Sequence, residues 1–285
     1  MNKWTKKSFA LAYEEYYLDN LSHIYIMYDN DIRVLDPNIK IALKEAFDTR
    51  DDYKLIKLLL KLDKFPIKDS YKPFFTRCNK NEVDSLLKSN PSTVARLAKR
   101  IYDNGFEKTI LGIEEPIETN RQMGPMFPNW IRQSYPCFNN FEEFFNSDKP
   151  ISVLSGSDEQ LVSFAKNYLN VVLPTGTKGT AKGLDAVIKI NTFPIATYVI
   201  GEAKFLSDEG GHQNAQLKDA LHLLTSSDFK NNGKFRVIRL AILDGVCWLN
   251  SKRKMQEELR ALTDDQIAIS ALLLNEFFNE VLSST

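Results

Sequence analysis

The chain lacks the features that would tie it to a disulfide framework, a zinc site or a membrane. Its 285 residues include only three cysteines, Cys78, Cys137 and Cys247, widely spaced and without a CxxC. An odd count at such spacing argues against paired disulfides and against zinc ligation, and it suits a reducing compartment. No stretch of about 18 apolar residues occurs, so no membrane span is expected. The opening MNKWTKKSFALAYEEYY breaks its apolar run at Glu14 and Glu15 and has no h-region of a secretory leader. A cytoplasmic protein is the expectation. Charge of one sign is missing as well, since 37 basic residues balance 37 acidic ones. Any nucleic-acid surface must therefore be a local concentration of Lys and Arg. There is no GxSxG for a serine hydrolase. The segment GTKGTAKG lacks P-loop spacing and precedes a strand rather than a helix. Internal repeats and low-complexity segments are absent.

What is present reads as a globular chain with a sizeable core, 43% hydrophobic and 26% charged. Residues from about 5 to 105 show apolar residues at helical spacing, as in FALAYEEYYLDNL, PNIKIALKEAF and DYKLIKLLLKL. NEVDSLLKSNPSTVARLAKRIYDNG reads as two helices broken at Asn90-Pro91, the second capped by Ser92 or Thr93 and closed by Gly105. This pair is either a plain helical hairpin or a DNA-reading one. From Glu107 to Pro150 the pattern is irregular and rich in proline and aromatics, which predicts a long structured loop region. There Arg121, Gln122 and Arg132 flank Trp130 as a candidate nucleic-acid surface, while Met123, Met126, Phe127 and Trp130 are candidates to plug one end of the core.

After Pro150 the character changes. SGSDEQLVSFAKNYLNVV predicts a helix with Ser157 or Ser155 as its cap. LDAVIKI and TYVIGEAKF predict strands joined by a tight connection at NTFP, GGHQNAQLKDALHLLTSS a helix, FRVIRLAILDGVCWL another strand, and the remainder one or two closing helices. The expected fold is α/β (α+β), with a mixed sheet flanked by helices. A mostly helical, loop-rich region would cover residues 1–150, and the sheet-bearing core residues 151–285.

Three charges interrupt this apolar hairpin. Glu202 and Lys204 are two residues apart, so their side chains leave the same face of the strand. Asp185 opens the preceding strand, at the same end of the hairpin. Two carboxylates on rigid strands suit a magnesium ion, which prefers oxygen ligands and keeps several waters. The Ala203 carbonyl is a further candidate ligand. The lysine can offset charge on a phosphorus under attack. The set suits phosphodiester hydrolysis.

GLD, sixteen residues and then EAK resembles the motif of the PD-(D/E)xK nuclease superfamily, with Asp185, Glu202 and Lys204 at its three positions. Leu184 stands where the motif usually has proline. The order of elements from about Ser155 to Leu249 resembles the superfamily's common core. GGHQNAQ together with AILDGVCW is similar to type II restriction endonucleases. The resemblance implies Mg²⁺-dependent cleavage of double-stranded DNA at a short recognition site, leaving 5′-phosphate and 3′-hydroxyl ends. It also implies a homodimer matched to a palindromic site and a cognate DNA methyltransferase in the cell. Glu159, with Asp158 as second choice, is the candidate for an additional site acid. Lys178, Lys182, His212, Gln213 and Gln216 are candidate DNA contacts beside Arg121, Gln122 and Arg132, and residues 1–150 would serve recognition and dimer formation. A repair or junction-resolving nuclease of the same core, or an inert DNA-binding protein, are the competing readings.

Overall fold

The computed structural model describes residues 1–26, 34–62, 64–76, 78, 81–115, 123–176, 181–251 and 253–284. Its contacts divide the chain into two units: Met1–Met27 together with Glu118–Thr285, and Tyr28–Ile117 inserted between them. Two helices, α1 (Lys3–Leu11) and α2 (Tyr17–Ser22), begin the larger unit.

The inserted unit is helical among its described residues: α3 (Pro37–Asp48), α4 (Asp52–Leu60), α5 (Lys72–Thr76), α6 (Val83–Ser89), α7 (Pro91–Asn104) and α8 (Phe106–Glu114). Asp36 caps α3 through the Asn38 and Ile39 amides, and Asp51 caps α4 through the Lys54 amide, satisfying donors that have no partner inside the helix. The cap of α7 is Asn90 and not Ser92 or Thr93: Pro91 takes the first helical position, where its missing N–H costs nothing. Gly105 ends α7 at φ +85°, a conformation L-residues avoid. The apolar stripes of these helices meet in a core of their own, built on Leu43, Ile56, Leu59, Leu97 and Ile101.

The larger unit continues with α9 (Met126–Ser134), β1 (Cys137–Phe138), α10 (Phe141–Phe145) and β2 (Ile151–Leu154). Much of the region expected to be a long structured loop is thus regular helix and strand. Pro125 and Pro128 do not break α9 because they sit at its cap and within its first turn, where no intrahelical N–H is needed. Met123, Phe127 and Ile131 are buried beside Ile151 and Val153, and Met126 and Trp130 pack against them. Residues 123–150 therefore pack with the sheet-bearing core, and the contact units divide at 27/28 and 117/118.

Helix α11 (Asp158–Asn167) carries a full capping box between Ser157 and Gln160. Then come β3 (Val171–Val172), β4 (Ala186–Ile190), β5 (Thr197–Leu206), α12 (Gly211–Thr225), β6 (Lys230–Asn231), β7 (Arg236–Gly245), α13 (Lys254–Arg260), β8 (Ile267–Ile269) and α14 (Leu274–Ser283). The main sheet runs β1-β2-β4-β5-β7-β8, and β3 pairs with β6 separately. The β2–β4 and β4–β5 pairs are antiparallel, while β1–β2, β5–β7 and β7–β8 are parallel. This is the mixed sheet flanked by helices that the patterning predicts. One face, with Val187, Tyr198 and Ile200, packs under α11 and the Leu223 turn of α12. The other, with Ile188, Val199, Leu240 and Ile242, meets α1, α2, α9 and α14. Gly201 lies on this second face, where a Cβ would meet the Leu240 carbonyl at 3.3 Å and an Ile242 methyl at 3.1 Å. Among the described residues, no helix is long and apolar enough to cross a membrane.

Candidate active site

The site forms where one strand outlasts its neighbour. Strand β4 pairs with β5 only from Ile190↔Thr197 to Ala186↔Gly201. Strand β5 runs on to Leu206 beside β7 alone. Past Gly201, therefore, one edge of β5 is open among the described residues. Asp185 sits at that edge, its amide donating to the Gly201 carbonyl at 2.9 Å. Continuing the antiparallel register sets Asp185 opposite Glu202, and residues directly opposite share a face. Lys204 shares that face by alternation.

The side chains converge as the register requires. Asp185 Oδ2 accepts from the Ala203 amide at 2.8 Å and lies 3.2 Å from Lys204 Nζ. Glu202 Oε1 lies 2.9 Å from the same ammonium. Peptide groups two residues apart on a strand face the same neighbour. The Ala203 carbonyl is thus directed, like that of Gly201, toward the open edge beside Asp185.

Electrostatics separates the members. Burial pushes the Glu202 carboxyl above its ordinary value, against the pull of Lys204 and Lys182. For Lys204, burial favours the neutral amine, but Asp185 and Glu202 outweigh it and hold the ammonium more firmly than usual. The Lys204 side chain is 24% exposed, against 5% for Glu202. A cavity of about 200 Å³ reaches Asp185, Ala203 and Lys204, with Tyr25, Phe127 and Gln216 among its walls. A second of about 90 Å³ runs from Asp185 to Asp158 and Arg132.

The remaining candidates scatter. Asp158, rather than Glu159, lines the second cavity; Glu159 is exposed on the first turn of α11. Arg132 borders that cavity with its Nε donating back to the Pro128 carbonyl at 2.7 Å. Gln216 borders the main cavity, with His212 exposed one turn away and the two Nε2 atoms 3.2 Å apart. Gln213 points inward: it is buried, its Nε2 3.4 Å from Ser207 Oγ and its Oε1 without a hydrogen bond. Arg121, Gln122 and Lys178 lie outside the described residues.

Lys182 differs most from its sequence reading as a DNA contact. It is 4% exposed, and its ammonium lies 2.7 Å from Glu202 Oε2 and 2.5 Å from Asp219 Oδ2. Its ammonium thus faces two carboxylates rather than solvent. Asp219, on α12, was not evident from the sequence. The available signal was an acid bordering the apolar face of a helix that follows the motif. For Asp219, burial works against the carboxylate, but Lys182 outweighs it and the pKa is lowered. Asp244 is not a member of the site. It is fully buried at the end of β7, accepting from Tyr25 Oη at 2.8 Å, Ser270 Oγ at 2.5 Å and the Ala271 amide at 3.2 Å.

Among the described residues, no three His, Cys, Asp or Glu side chains gather as a metal cage. The donor set is smaller: the Asp185 and Glu202 carboxylates converging on one ammonium, and a peptide carbonyl at the open edge. This fits Mg²⁺, which is commonly held by one or two carboxylates and keeps several waters.

The model of the Tsp45I type II restriction enzyme family matches residues 2–281. No curated protein and no solved structure matches the chain.

Proposed function

The chain belongs to the Tsp45I type II restriction enzyme family, and from that premise we propose that Asp185, Glu202 and Lys204 are the catalytic centre with which it hydrolyses DNA. As a type II restriction enzyme of the PD-(D/E)xK kind it is a sequence-specific endonuclease of double-stranded DNA. The observation that carries the assignment of the centre is the convergence of the Asp185 and Glu202 carboxylates on Lys204 Nζ, at 3.2 and 2.9 Å, at the open edge of β5.

Asp185, Glu202 and the Ala203 carbonyl would hold Mg²⁺. When bound, the ion supplies Lewis-acid polarisation of a phosphoryl oxygen and eases deprotonation of water. Asp185 is preorganised for this role, since the Ala203 amide already fixes its Oδ2. Lys204 remains an ammonium and sets a positive charge where the phosphoryl oxygens gain negative charge. Glu202 is buried, so on its side these charges act in a medium of low polarity. The scissile phosphate enters from the open edge, where the cavity meets Lys204 and Gln216. The products are 5′-phosphate and 3′-hydroxyl ends.

The finer roles follow the same reading. A homodimer would match its two-fold axis to a palindromic site. A DNA methyltransferase of the same specificity would protect the host, and both would work in the cytoplasm. Residues from the helical N-terminal half would contribute recognition and dimer contacts. Arg132, His212 and Gln216 are the DNA contacts that the described residues favour.

The test is incubation of the purified protein with unmethylated phage DNA, with Mg²⁺ or with EDTA, beside Lys204→Ala. Discrete fragments that require both Mg²⁺ and Lys204 are expected, with a rate loss in the variant of about 10²–10³-fold, as for removal of one charge-stabilising group. Cleavage by Lys204→Ala at the wild-type rate would refute the assignment of the centre.

A further inference from the structure

We infer that Lys182 is a positioning residue of this centre: clamped by Asp219, it balances and orients the buried carboxylate of Glu202 so that the cation can use it. The inference rests on the reading of Asp185, Glu202 and Lys204 as the catalytic centre.

Two lysines divide one carboxylate between them. Lys204 takes Glu202 Oε1 and also faces Asp185 and the main cavity. Lys182 takes Oε2 on the side away from that cavity, at 2.7 Å. Both Lys182 and Glu202 are 4% exposed. A carboxylate that far from water keeps its charge only beside a compensating group. Lys204 cannot serve alone, because it is shared with Asp185 and stands where substrate enters. Lys182 supplies the second compensating charge, and its other partner, Asp219, lies outside the catalytic trio.

Lys182 is itself held in place. Its ammonium meets Asp219 Oδ2 at 2.5 Å, and its amide donates to the Pro174 carbonyl at 2.7 Å. Asp219 comes from α12, the helix that follows the motif strand. The chain Asp219–Lys182–Glu202 thus links that helix to the ligand carboxylate. Glu202 Oε2 lies 2.7 Å from this ammonium, so the contact restrains the carboxylate by charge. Partners of this kind behind a ligand typically govern metal affinity and activity by 10–100-fold when removed.

Two variants of the full-length protein test the role, Asp219→Asn and Lys182→Met. Asp219 is 36% exposed at its side chain, so its substitution retains a folded protein even where loss of buried Lys182 does not. Mn²⁺ binding is measured by calorimetry on the DNA-free protein. DNA affinity is measured in EDTA, and the Mg²⁺ dependence of cleavage is followed in parallel. The dissociation constant for Mn²⁺ and the half-saturating Mg²⁺ concentration should both rise about 10–100-fold, with DNA affinity in EDTA unchanged. A fall in DNA affinity at constant Mn²⁺ affinity would make Lys182 a phosphate contact and overturn the inference. Unchanged Mn²⁺ affinity in Asp219→Asn would reduce the clamp to fold maintenance and overturn it too. Asp185→Ala and Glu202→Ala are run beside them. If these also bind Mn²⁺ normally, the reading of the catalytic centre itself has failed; if they lose it and Asp219→Asn does not, only the positioning role has.

Discussion

Replacing Asp244 by asparagine should change how the stability of this protein depends on pH. The carboxyl is completely buried, and burial pushes its pKa from the ordinary 3.8 up to about 7, with Ser270, Tyr25 and the Ala271 amide pulling weakly the other way. The folded state therefore binds this proton more tightly than the unfolded chain. Its contribution to stability is complete below about pH 4, declines as pH rises toward 7, and is gone above that. About 3 pKa units at 1.36 kcal/mol each amount to about 4 kcal/mol in all. Integrated between pH 5 and pH 8, the loss is roughly 2.5 kcal/mol, since part of the fall has already occurred by pH 5. Asparagine has the same shape and no titration. Its carbonyl can keep the Tyr25 and Ala271 donors, while its amide donates to Ser270 Oγ. Urea unfolding of both proteins at pH 5 and pH 8 reads the difference. Asp244→Asn should gain roughly 2.5 kcal/mol on the wild type across that interval. If the gap between the two proteins stays constant to within about 0.5 kcal/mol, Asp244 does not titrate differently on folding, and the account of its burial is wrong.

Two further outcomes follow from the same coordinates. Because burial raises the Glu202 pKa above 4.5, Mn²⁺ affinity of the DNA-free protein should fall on acidification with a midpoint above that value; a midpoint at or below 4.5 would contradict the desolvated site. Phe278 is fully buried and packs edge-on against Tyr135 and Phe277, with centroids 5.6 and 5.8 Å away. Phe278→Ala should cost about 3–5 kcal/mol in urea unfolding, with cleavage per folded molecule retained at low temperature; a loss below about 1 kcal/mol would mean that α14 is not integral to the core.

Much of the centre is legible in the sequence. The alternation that puts Glu202 and Lys204 on one strand face is a local property of extended chain. So is the Ser157 cap of α11, which the acids and apolar spacing after it announce. Strands β4, β5 and β7 carry long β-branched runs and are readable for that reason. The short strands are not. The residues of β8, Ile267–Ile269, sit in an apolar run continuous with a helix and carry a helical signature, since periodicity cannot separate the two over three residues. Strands β1 and β2 escaped notice for the same reason of length, and α9 because its prolines resemble loop punctuation until their place at the helix start is known.

The sequence by itself determined which residues are chemically able to form the centre: two acids and a lysine, in strands otherwise apolar, at a spacing that returns a hairpin upon itself. Tertiary structure decided the rest. The pairing of β4 with β5 stops at Ala186↔Gly201, and only that register opens the edge where Asp185 meets Lys204. Lys182 reads as an ordinary basic residue next to Gly183 until α12 brings Asp219 against it and the sheet buries it. The insertion of Tyr28–Ile117 between two parts of one unit is likewise invisible locally. The physical reason is common to all three. Propensity and periodicity act over a few residues, whereas burial of a charge, the end of a ladder and the closure of a core depend on partners tens to hundreds of residues away.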